Sequence, residues 1–73
     1  MRLHAVESEM LSEVGYDPAN LILQVKYRKT NTSYKYKDVP LMIFGLLMSS
    51  MSIGKAMHAY ILKEYEYEKV LQN

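Results

Sequence analysis

Five cations, Lys26, Arg28, Lys29, Lys35 and Lys37, fall within a short stretch that holds no acid. The side-chain carboxylates stand on either side of it: Glu7, Glu9, Glu13 and Asp17 before, Asp38, Glu64, Glu66 and Glu68 after. Phosphate recognition needs clustered positive charge, because each neutralised phosphate releases condensed counterions. The same stretch holds Tyr34 and Tyr36, whose rings have the shape and polarity to stack on bases. Lys26, Arg28, Lys35 and Lys37, with Tyr34 and Tyr36, are therefore the candidate nucleic-acid or anion-binding residues. A plainer reading stands beside this one. Lysines along a hairpin also keep its edges from pairing with other chains, and the two tyrosines can be core residues with their hydroxyls at the edge.

Other chemistries find little support. The chain has no cysteine and only two histidines, His4 and His58, far apart in sequence. That excludes thiolate metal sites and disulfides and makes a structural zinc site a poor fit. Ser49, Ser50 and Ser52 have no activating base in view, and His58 has no nucleophile to serve. Glu64, Glu66 and Glu68 are two apart, so a helix would spread them over different faces. No glycine-rich phosphate loop exists. We expect no enzyme, no catalytic residue, no cofactor and no metal.

The elements that must position the candidate residues follow from periodicity. Leu21, Leu23, Val25 and Tyr27 share one parity; Gln24, Lys26 and Arg28 share the other, as in a strand with one buried face. Ser33–Lys37 alternates likewise, with Tyr34 and Tyr36 on one side and Lys35 and Lys37 on the other. The short link Lys29–Thr32 makes an antiparallel hairpin of the two. Asp17-Pro18-Ala19-Asn20 reads as a turn. Met10–Tyr16 before it is expected to add a third strand, with Leu11 and Val14 inward. Their spacing of three predicts a bulge or an irregular start.

Asp38-Val39-Pro40 opens a helix, since proline suits the first turn and an acid suits its positive end. The residues that follow, Leu41 to Met48 and then Met51, are apolar almost all round, which predicts burial on more than one side. Ser52 is placed to cap a second helix over about Ile53–Tyr65. The alternation Glu64-Tyr65-Glu66-Tyr67-Glu68 fits either a helical or an extended tail. The expected fold is α+β, a small three-stranded antiparallel β-meander followed by two helices, in one domain over residues 1–73.

A 73-residue chain buries a modest core, and small scaffolds commonly need a staple. Without disulfides or metal, a second subunit is the natural one. Phe44, Leu47, Met48 and Met51 are the candidate interface residues, with methionine supplying adaptable contacts. Core packing is the competing role for them. The net charge of +1 gives a weak overall field. The longest apolar run, Val39–Met48, is far short of the roughly 20 residues that span a bilayer. No signal-peptide pattern is seen at the start. A cytoplasmic location, away from membranes, is the expectation.

These residues also resemble a known family. Ser8–Asp17 looks like the opening of KTSC domains, and Tyr34-Lys35-Tyr36 matches their central Tyr-x-Tyr. Asp38-Val39-Pro40 looks like their Val-Pro helix start. Ser52-x-Gly54, Ile61 and Tyr65-x-Tyr67-x-x-Val70 are similar to their end. The resemblance covers about residues 8–70. It implies a domain of the kind found at the C-terminus of some lysyl-tRNA synthetases and as stand-alone bacterial and phage proteins, with RNA the ligand usually suggested. Two departures stand out: Lys29–Thr32 lacks the expected loop glycine, and Lys55–Ala59 replaces a more polar, aromatic stretch.

The expected function is a small non-catalytic binding module for RNA or another phosphate-bearing, nucleotide-like ligand. The alternative is an oligomeric protein-interaction or ligand-sequestering protein, phage-encoded or bacterial, with its working faces between subunits.

Overall fold

The computed structural model describes residues 1–71. Five strands, β1 (Leu3–Ala5), β2 (Leu11–Asp17), β3 (Ile22–Tyr27), β4 (Thr32–Tyr36) and β5 (Tyr67–Lys69), form one antiparallel sheet in the order β1-β2-β3-β4-β5. Between β4 and β5 lie α1 (Leu41–Ser49) and α2 (Ile53–Ala56). The latter runs on into a π-helical turn, Met57–Ile61. The α+β class is as expected, but the three-stranded meander is corrected to five strands. The central three are the expected ones. Each of the two added edge strands has only three residues, too few to show alternation.

The strand pattern explains the core. Leu11, Val14, Leu23, Val25 and Tyr36 are buried on one face of the sheet, against Val39, Leu47, Ala56, Met57 and Ile61. Leu11 pairs with Tyr27 and Glu13 with Lys26, so Ser12 is an extra residue in β2. This bulge turns both Leu11 and Val14 inward despite their spacing of three. Gly15 lies opposite Leu3 on the other face. A Cβ there would stand 2.6 Å from the Arg2 carbonyl oxygen, so β1 can approach only a glycine.

The two tight hairpins use the same device. Leu21 and Asn31, each the last residue before the returning strand, have φ of 56°. Asn31 thus supplies the left-handed conformation for which a glycine was expected, and asparagine tolerates it better than most residues. Asp17 fastens the first turn by accepting from the Ala19 and Asn20 backbone amides and the Asn20 side chain. Those bonds, that from the side chain first, hold its carboxyl below the ordinary value.

Pro40 stands just before α1, and the Ser52 hydroxyl caps α2 by accepting from the Lys55 amide, both as expected. The second helix is shorter than the expected span to Tyr65. Leu62 N–H reaches the Met57 carbonyl, and Lys63, with φ of 72°, turns the chain away. The tail then becomes extended and pairs with β4. Among the described residues, no helix is long and apolar enough to cross a membrane.

Candidate functional site

The sheet is wider than its helical cover. On the covered face, Tyr27, Tyr34, Tyr36 and Tyr67 come from three adjacent strands and meet at one end. Tyr34 and Tyr36 are two apart on β4, so they share that face, and Tyr67 lies directly opposite Tyr36. Tyr34 meets Tyr27 and Tyr67 edge-on, with ring centres 5.5 and 5.6 Å apart. Tyr67 tilts against Tyr36 at 5.5 Å. Such edge contacts are favoured by the ring quadrupole.

These rings line an open cleft of about 780 Å³. Its other walls are Glu9 and Met10 ahead of β2, Lys29 and Thr30 in the β3–β4 loop, and Leu62 and Lys63 after the π-helical turn. The volume is within the range of small-molecule sites, and the mix of aromatic wall and few polar groups suits one. Lys29 and Lys63 bring two positive charges to it and Glu9 one negative charge.

The Tyr27 and Tyr36 hydroxyls lie 2.6 Å apart. Burial pushes both phenols above the ordinary value, and for Tyr36 the bond with Tyr27 adds to it. Both are therefore neutral near pH 7. One phenol donates its hydrogen within the pair, which leaves the second hydrogen to be given to another acceptor.

The sheet sets acids among the cations singled out from the sequence. Lys26 and Lys35 lie on the uncovered face, as does Lys37, and acids stand among them. Lys26 is 4.0 Å from Glu13, and Lys37 is 3.6 Å from Glu68, which also pairs across from Lys35. Arg28 is engaged with backbone. Its guanidinium donates to the carbonyls of Ser8 (2.9 Å), Val6 (3.2 Å) and Leu11 (3.2 Å), strapping the N-terminal segment to β3. The four cations thus do not form one open patch, and they do not share a face with Tyr34 and Tyr36. The two tyrosines do meet, but with Tyr27, Tyr67, Lys29 and Lys63 for company. Tyr67 and Lys63 could have been found only by knowing that β5 returns beside β4 and that the second helix stops early.

The four candidate interface residues also separate. Leu47 is fully buried, a core residue, which corrects its assignment to an interface. Phe44 is half-buried and stacks on Tyr16 at 4.7 Å with nearly parallel rings. Met48 and Met51 are exposed. His4 and His58 are exposed too, and among the described residues no group of three or more His, Cys, Asp or Glu could hold a metal ion.

An uncharacterised protein of Stutzerimonas stutzeri is 33% identical over 55 residues, covering 75% of this chain and 76% of that one. The crystal structure of the KTSC domain protein YPO2434 from Yersinia pestis superposes with a TM-score of 0.91 at 27% identity, covering 96% of this chain and 97% of that one. The strand order, bulge and cleft described above therefore sit on a fold that a KTSC protein shares along nearly its whole length. With the KTSC domain family model matching residues 7–70, the chain belongs to the KTSC domain family.

Proposed function

We propose that this KTSC domain is a small non-catalytic binding module, and that its tyrosine cleft takes the base and phosphate of a single-stranded RNA. The observation that carries this reading is the joining of four tyrosines and two lysines in one open cleft of about 780 Å³. Aromatic walls accept any base by stacking, and phenol hydroxyls offer hydrogen bonds to its polar edge. Lys29 and Lys63 are placed for the flanking phosphates, a role that passes to them from Lys26, Arg28, Lys35 and Lys37.

The test is a titration of a short labelled oligoribonucleotide, followed by fluorescence anisotropy from low to moderate salt. Binding weakens as salt rises, and Lys29→Gln and Lys63→Gln each reduce the logarithmic salt slope by about 0.7. Lys35→Gln leaves it unchanged. No binding at low salt, or a loss caused by Lys35→Gln rather than by the cleft lysines, rejects the reading.

A further inference from the structure

α1 is unusual for a helix at a protein surface. It carries no charged residue, yet only one side of it reaches the core. Leu47 is buried and Ile43 and Phe44 are packed beneath. Leu41 (60% exposed), Met42 (75%), Leu46 and Met48 are open to solvent, and Met51 just beyond is fully exposed. Leu41, Met42, Gly45, Met48 and Ser49 follow helical spacing along one stripe. At its centre, Gly45 has nothing within 4 Å of where a Cβ would stand. Glycine weakens a helix interior, and nothing among the described residues gives a reason for it. A second backbone approaching closely would.

We infer that this face is where a second copy of the chain docks, with the two α1 helices crossing at Gly45. Area supports this occupant. Taking roughly 200 Å² for a fully exposed leucine or methionine, the five exposed residues offer about 600 Å² per copy. A two-fold contact that covered all five on each copy would bury about 1,200 Å², at the lower edge of specific interfaces. Charge narrows the choice further. With no acid or base on α1, the face offers nothing to a charged peptide and lacks the cations that draw a helix to an anionic lipid surface. A two-fold interface sets one patch against itself, and an uncharged stripe opposes no like charges when it does so. The cleft lies on other elements, so this inference does not depend on what the cleft binds.

Sedimentation equilibrium of the full chain from about 1 µM to about 1 mM tests it. A monomer–dimer equilibrium is expected. Met42→Glu should weaken it by more than about tenfold, because each copy would bury an unpaired carboxylate in an uncharged contact. Met42→Leu should keep it. Since residue 42 is mostly exposed, circular dichroism and the melting temperature of either variant should match the parent at concentrations where the parent is monomeric. A parent monomeric throughout, open-ended association in place of a dimer, or a Met42→Glu variant that dimerises like the parent would each overturn the inference. So would a monomer that instead co-sediments with neutral phosphatidylcholine vesicles.

Discussion

Replacing Tyr67 by alanine separates the role of the cleft from the stability of the fold. Tyr67 is 63% exposed, so its ring contributes little to the core. What it loses on truncation is its pair of contacts with Tyr34 and Tyr36, at 5.6 and 5.5 Å. Edge contacts of this kind are worth about 0.5–1.5 kcal/mol each, toward the lower end when solvent reaches them. A total near 1 kcal/mol lowers the melting temperature of so small a domain by about 4–8 °C. The expected effect on binding is larger. A base stacked on an aromatic ring loses about 1–3 kcal/mol when that ring is cut back, or about 5- to 150-fold in affinity. Thermal melts followed by circular dichroism give the first number, and anisotropy titration with an oligoribonucleotide gives the second. Lys37→Gln is the matched control: it breaks an exposed pair with Glu68, worth about 0–1 kcal/mol, and should leave affinity unchanged. A Tyr67→Ala protein that is folded and binds RNA as well as the parent would refute the reasoning.

Arg28→Met removes three hydrogen bonds to backbone carbonyls; we expect a loss of about 1–3 kcal/mol, and faster amide exchange at Val6 and Met10. Gly45→Ala fills open space on an exposed helix and should stabilise the monomer by about 0.5–1 kcal/mol in chemical denaturation at low protein concentration. Tyr27 and Tyr36 ionise at higher pH folded than unfolded, where the ordinary value is 10.0. Their stabilisation is therefore complete below pH 10 and is lost as the pH rises beyond it. Denaturant unfolding should show stability falling above pH 10, and Tyr27→Phe should make that fall shallower.

How much of this was legible in the sequence differs from element to element. The alternation of Leu23, Val25 and Tyr27 against Gln24 and Lys26 locates β3, and the odd spacing of Leu11 and Val14 foretells the bulge. Parity also places Tyr34 and Tyr36 opposite Lys35 and Lys37. Leu3–Ala5 and Tyr67–Lys69 carry no such signal, since a three-residue edge strand is defined by the neighbour it pairs with. Missing β5 had consequences for the site. A run of cations without local acids looked like an anion-binding patch, until the returning chain set Glu68 beside Lys35 and Lys37. The same return brought Tyr67 to Tyr34 and Tyr36 and created the cleft. The early end of the second helix has no glycine or proline to announce it; it depends on Lys63 taking a left-handed backbone.

The central claim is that ligand enters between the tyrosines and not over the lysines of the opposite face. Aromatic and amide NMR spectra, recorded while a short oligoribonucleotide is added at low salt, test it most directly. Shifts at Tyr34, Tyr67, Lys29 and Lys63, with Lys26, Lys35 and Lys37 unmoved, are what the account predicts. Shifts confined to those three lysines and their strand neighbours, or a spectrum that does not change, would contradict it.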